Sequence, residues 1–444
     1  MLNHTQKHWL IGVMLLLMLT ASGGLTIAQD AQSCGTDSGE GCAPDSARVD
    51  LTPPSFSNPT NITNPLFPIS SLSRVLLFGT VDRLPFRTET TLLPDTRIIE
   101  WNGQQIEVLA SQYMAFLDNR VQEVAIDWYA QSDDGSVWYL GEDVFDYEDG
   151  VVISTEGTWL AGRDGPAAMI MPGNPQVGDV YRPENSPGFV FEEVTVTSIS
   201  AAVHGPLGIV EGAIVTEELH MDGTLEDKIF APGYGEFFTG NRGELEALAL
   251  ALPVDALNMP PPAELETLLS GANAVFAAAE SEDWNAASAT LHTMIAAWDT
   301  YQTSNLPRML DARMSWALVE LVGAVDARQT LESRQSAIHV ARASLDFQLR
   351  HRSVVEIDFA LFDLWAAQIL VDVAADDAGG ITSDVTTLEW VWDRIVHALD
   401  DANAALVVAH LDALRVAADD EDLAAASEAA LRLRETLSEV APAT

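Results

Sequence analysis

Carboxylates crowd the stretch Asp143, Asp146, Glu148 and Asp149 just before Gly150. Oxygen donors gathered that closely are what a Ca²⁺ ion requires. Their spacing departs from the standard calcium loop, so a solvated hairpin turn is the simpler reading. A helical chelate is a second candidate. Asp393 and His397 stand one helical turn apart and could hold a metal from one face. His397 lies off the apolar stripe, and the alternative there is a surface ion pair or no contact. His410 falls with Val407, Leu411 and Leu414 on an apolar face, where it is a metal ligand or a hydrogen-bonded core histidine. Met169 and Met171 share one face of a strand, but a soft copper site would want more Met or His beside them.

Trp128, Trp138 and Trp159 could line a groove for a sugar or an apolar ligand, or fill the covered face of a sheet. His339, Asp346, His351 and Asp358 cluster around Arg350-His351-Arg352, the one concentrated basic patch. That patch either pairs with neighbouring carboxylates or meets an anion or partner. No GxSxG, HExxH, P-loop or strand-linked GxGxxG occurs. No helical histidine follows an acid by three residues, so the di-iron bundle pattern is missing. No CxxCH occurs, which removes covalent haem, and the cofactor is unknown. Carboxylate pairs for hydrolysis are abundant, and the sequence does not choose among them. Cys34 and Cys42, the two cysteines, are expected to form a local disulfide in an oxidising compartment. Its short loop would add little to global stability.

The bulk charge limits partners. The chain has 66 acidic and 22 basic residues, a formal charge of -44, and only Lys7 and Lys228 as lysines. Such a surface repels phosphate backbones and anionic membranes, so no nucleic acid is expected. It suits a salty habitat, or a cationic or basic partner. Lys7, the apolar run Leu10–Leu19 and small residues up to Ala28 read as a signal peptide over 1–28, cleaved between Gly23 and Ala28. No later apolar run is long enough to span a bilayer, so no transmembrane anchor is expected after cleavage.

The elements that must position these residues change character along the chain. Residues 29–70 are rich in Ser, Pro, Asn and Gly and are expected to form a disordered linker. Residues 71–242 have a period of two and are expected to form an antiparallel meander or open barrel. Asn102-Gly103 marks a hairpin, and Asp134-Gly135 suggests another. A linker is expected over 243–262, ending at Pro260–Pro262. From 263 to 440 the period becomes helical, with stripes such as Trp284, Ala287, Leu291, Met294 and Trp298. About eight helices are expected: 263–280, 284–302, 307–326, 331–349, 355–375, 383–400, 403–417 and 421–439. Acidic breaks recur between them at a spacing of roughly 40–50 residues, as in stacked helical hairpins. The fold class is α+β, with an all-α bundle after the β domain.

One stretch carries a family likeness. It runs from DWYAQSDDGSVWYLGEDVFDYEDG (127–150) through GTWLAGRDGPAAMIMPGNPQVGDVYRPE (157–184). It resembles a group of exported bacterial proteins in which D-G-x-V-W-Y-x-G-E-D is followed by G-x-W-x-A-G-x-D-G-A and M-P-x-x-P-x-V-G-x-x-Y. The group's domain closes with K-x-Y-A-P-G-V-G. KIFAPGYGEFF at 228–238 is similar, with Tyr234 replacing a small residue. The likeness covers residues about 74–240. It implies an exported β domain and transfers no activity, cofactor or residue role. The expected function is a non-enzymatic binding or protein-interaction module outside the cytoplasm, with a protein or small-molecule partner. The alternatives are a metal- or cofactor-binding bundle and a hydrolase using paired carboxylates in the β domain.

Overall fold

The computed structural model describes residues 34–241 and 244–440. The expected signal peptide lies outside the described residues. Six strands open the β domain: β1 (Arg74–Val81), β2 (Leu84–Trp101), β3 (Gln104–Leu117), β4 (Arg120–Gln131), β5 (Val137–Glu148) and β6 (Val151–Ser154). Two short strands, β7 (Trp159–Leu160) and β8 (Ala168–Met171), follow. The remainder are β9 (Val180–Ser186), β10 (Val190–His204), β11 (Ile209–His220), β12 (Leu225–Ala231), β13 (Gly235–Asn241) and β14 (Glu244–Leu252).

They form one antiparallel sheet in the order β6-β5-β4-β3-β2-β1-β14-β13-β12-β11-β10-β9, with β7 and β8 paired to β5. The sheet is not closed by hydrogen bonds, but it curls until β8 lies beside β9. Two-residue turns set the first registers. Asp82-Arg83, Asn102-Gly103, Asp118-Asn119 and Asp149-Gly150 all have positive φ at both positions. Such turns match the right-handed twist of the strands they join.

Two expected boundaries need correction. The sheet does not end at 242: β14, in the segment read as a linker, pairs with β1 along its length and with β13. Its alternating sequence ELEALALAL was masked by the proline-rich stretch after it. The described part of the 29–70 segment is not a disordered linker either. Its Ile62, Leu66 and Ile69 enter the β-domain core. The Asn64 side chain donates to Gly135 O and Pro172 O, and Gln131 Oε1 accepts from the Thr63 and Asn64 backbone. Composition predicted disorder because the segment cannot fold alone, and the sheet supplies its missing partners. Near its start, a disulfide joins Cys34 and Cys42.

The chain continues as α1 (Ala263–Glu280), α2 (Trp284–Tyr301), α3 (Arg308–Asp326), α4 (Thr330–Gln348), α5 (Val354–Ala375), α6 (Ala378–Ile395), α7 (Asp401–Asp419) and α8 (Leu423–Glu439). None of the described helices is long and apolar enough to cross a membrane. A repeated device joins each odd helix to the next even one. Residues 282, 328, 376 and 421 have left-handed backbone, at steps of 46, 48 and 45. At three of these turns the next residue is an N-cap aspartate: Asp283, Asp377 or Asp422 accepts from the N3 amide. The Asp377 cap starts α6 five residues before the expected 383. Gly379-Gly380 reads as loop, but Gly380 N is the amide that Asp377 caps. The four hairpins stack so that α1 packs on α4, α4 on α5 and α5 on α8.

Alternation along the sheet splits its residues between two cores. Leu76, Phe78, Met114, Phe116, Val121 and Leu250 face the helices and share a core with Leu345, Ile357 and Trp365. Their neighbours Val75, Leu77, Thr88 and Thr90 point to the concave side. Two glycines show how tight the frame is. At Gly141 of β5, φ is 130° and an added Cβ would stand 2.3 Å from Trp159 O. At Gly150, φ is 75° and a Cβ would meet Ser383 N of α6 at 2.3 Å. Gly141→Ala is therefore expected to destabilise the fold by about 1–3 kcal/mol, read from the thermal midpoint. An unchanged midpoint would show that β5 and β7 can separate freely.

Candidate functional site

The concave face of the sheet encloses a cavity of about 320 Å³. One part of its wall is apolar, from Phe67, Ile69, Leu72, Val75, Leu77 and Phe230. Most of that part comes from the segment entering β1 and from β1 itself. Five carboxylates line the rest (Asp127, Glu192, Glu218, Glu236 and Glu246) against the single lysine Lys228. Cross-strand register explains why so many meet. Residues directly opposite in a sheet share a face. Glu192 of β10 opposes Glu184 of β9 and His220 of β11. One step along, Val194 opposes Tyr181 and Glu218, and Glu218 opposes Glu226 of β12. Thr216 opposes Lys228, Lys228 opposes Thr239, and Thr239 opposes Glu246. Alternate positions on neighbouring strands therefore bring polar atoms inward, interrupted by Val194 and Phe230.

The corner at β10–β12 is the most concentrated. Glu192, Glu218 and His220 are the one group of at least three acidic, His or Cys side chains, among the described residues, whose ligand atoms gather within 4.8 Å. His220 Nδ1 lies 3.5 Å from Glu192, and its Nε2 lies 3.5 Å from Glu226 and 3.8 Å from Glu218. Lys228 Nζ stands 3.0 Å from Glu218 Oε1, at an angle that leaves that oxygen without a hydrogen bond. The Tyr181 hydroxyl also has no hydrogen-bond partner, although Tyr181 is only 1% exposed.

Electrostatics reflect this crowding. Burial would pull the His220 imidazolium down, but hydrogen bonds to Glu192 and Glu226 raise its pKa to about 10. Burial, then the charge of Glu192, pushes Glu218 up to about 7. On the opposite wall burial lifts Asp127 to about 6, against hydrogen bonds from Tyr139 and Ser111. Burial, then Glu236, lifts Glu246 to about 7, while the Thr88 hydroxyl donates to it at 3.0 Å. Carboxylates held this far up lack sufficient positive charge nearby, so the cavity favours a cation.

The sequence-derived candidates do not assemble there. Asp143 and Asp146 are three apart on β5 and so face opposite sides of the strand, and Asp149 pairs with Arg120 at 2.9 Å. They do not converge as a calcium loop would. Asp393 and His397 are both exposed, and His410 is half-buried with its Nε2 2.9 Å from Thr436 Oγ1. Trp128, Trp138 and Trp159 are core residues with Met169 and Met171. Arg350 donates to the Asp255 carbonyl, Arg352 pairs with Glu266 and His351 meets Met259 O. Asp346 and Asp358 are buried against arginines of the sheet. The signal missed was in FEEVTVTSI and IVEGAIVTEELH, where acids occupy both faces of strands rather than one. Compared with protein-family models and with curated proteins, the chain gives no match.

Proposed function

We propose that this chain is an exported, non-enzymatic binding protein whose β domain holds a small amphipathic cation. The observation that carries the reading is the cavity of about 320 Å³, with apolar side chains on one part of its wall and five carboxylates against one lysine on the rest. A ligand with an apolar body and a primary or quaternary amine matches both parts. The amine would sit between Glu236 and Glu246, near Thr88. The body would lie against Leu72, Val75 and Leu77. A disulfide near the start of the described chain accords with life outside the cytoplasm. The strongly acidic composition would also draw cations toward the domain by long-range attraction.

The test is calorimetric titration of the protein with an alkylamine and with the alkanoate of equal chain length. The amine is expected to bind and the alkanoate not. Glu246→Gln is expected to weaken amine binding about tenfold, the scale of one buried charge-assisted hydrogen bond. Equal binding of both compounds, or none of the amine, would overturn the proposal.

A further inference from the structure

We infer that the corner formed by Glu192, Glu218 and His220 is a binding site for a divalent first-row metal ion, of which Zn²⁺ is the simplest probe. It extends the cavity reading above, yet uses a different wall from the one assigned to the amine. The donors come from adjacent strands of a rigid sheet, so their spacing is fixed by register rather than by loops. Two donors bound to one Zn²⁺ stand about 3.3–3.6 Å apart, given bond lengths near 2.0–2.2 Å. Nε2 of His220 lies 3.8 Å from Glu218 and 3.5 Å from Glu226, close to that edge length, and one ligand atom each from Glu192, Glu218 and His220 gather within 4.8 Å. One imidazole with two or three carboxylates favours zinc, manganese or iron(II) over calcium, which prefers oxygen alone.

Acids gathered at one place are common without a metal, so a second observation matters. Tyr181 of β9 shares the concave face, because it opposes Val194, the residue that opposes Glu218. Its hydroxyl is buried and has no hydrogen-bond partner, although the charges of both Glu218 and Lys228 reach it. A buried hydroxyl without a partner is costly, and a ligand or metal-bound water at this corner would satisfy it. Lys228 now supplies the positive charge beside Glu218, so it competes with the ion.

The competition gives the test a direction. Full-length mature protein, stripped with chelator and dialysed, is titrated with Zn²⁺ by calorimetry and with Co²⁺ by visible absorption. One equivalent of each is expected to bind. His220→Ala and Glu192→Gln should each weaken Zn²⁺ binding at least tenfold, whereas Lys228→Met should tighten it several-fold. His220→Cys should add a thiolate-to-Co²⁺ charge-transfer band in the near ultraviolet, which a merely structural histidine would not produce. Glu246→Gln should leave Zn²⁺ binding unchanged while impairing amine binding, so the two readings fail separately. Absence of saturable binding, or equal affinity in His220→Ala, would falsify the site. Circular dichroism of each variant identifies any that does not fold, and His220→Cys then decides.

Discussion

Asp358→Ala is expected to lower the stability of the whole molecule by about 3–5 kcal/mol, the cost of leaving a buried charge without its partner. Arg74 of β1 has no exposed surface and places Nη2 2.8 and 2.7 Å from the two carboxylate oxygens of Asp358 on α5. Arg87 of β2 makes a two-pronged contact with Asp346 on α4, both distances 2.8 Å. Glu89 lies between them, bonded to Arg87 at 2.9 Å and to Arg394 of α6 at 2.9 Å. Burial would pull the Arg74 guanidinium down, but Asp358 and Glu89 outweigh it and raise the pKa. Glu89 is held well below the usual carboxylate range by its arginines, in spite of burial. Removing Asp358 would leave Arg74 and Arg394 facing Glu89 alone. Urea denaturation followed by tryptophan fluorescence would measure the loss. The paired change Arg74→Met with Asp358→Leu should recover most of it, since an apolar pair of similar volume removes the stranded charge. A double variant as weak as Asp358→Ala would show that packing, rather than charge, is what the single change disturbs.

The second large effect is a fall in stability as pH rises from 5 to 8. Burial holds Asp127 up at about 6 and Glu246 at about 7. Glu123, on the same face of β4 as Asp127, is raised to about 8 by burial, then by Asp146 and Asp127. The unfolded chain releases these protons near pH 4, whereas the folded state keeps them to higher pH. Stability from these groups is therefore complete below about pH 4 and is lost as pH rises through their folded values. With about 1 kcal/mol for each group, after allowance for cavity water, the thermal midpoint should fall by about 3–4 °C between pH 5 and 8. Glu89 stays ionised across this window, so the arginine network does not contribute to the slope. Calorimetry in 0.5 M salt would suppress repulsion among surface carboxylates while leaving the buried ones. Under those conditions the triple variant Glu123→Gln, Asp127→Asn, Glu246→Gln should make the fall shallower, with Glu218, raised to about 7, carrying part of what remains. A flat wild-type midpoint from pH 5 to 8 would mean that the cavity is wet enough to solvate its carboxylates.

Local physics made much of this molecule readable from its residues. Asn102-Gly103 turns because both positions take positive φ, and the chain reverses there whatever packs around it. Glu282-Asp283, Asp376-Asp377 and Glu421-Asp422 each end one helix and cap the next, so most helix boundaries follow from composition and spacing. Period two over 71–242 and helical period after 263 point to the class α+β, which the sheet and the eight helices bear out.

Tertiary structure decided which polar residues matter. Helix α4 carries Ser333, Arg334, Ser336, Arg342, Ser344, Asp346 and Gln348, a set that reads as solvent-facing, yet all are buried. They are buried because α1, α3 and α5 pack around α4, and Arg87 of the sheet, 259 residues away in sequence, meets Asp346. The cavity shows the same principle. Glu192 and His220 are ordinary polar residues of two different strands until register places them opposite each other. Hydrophobic periodicity reports which face a residue takes, and only the pairing of distant strands and helices reports which charge it meets there.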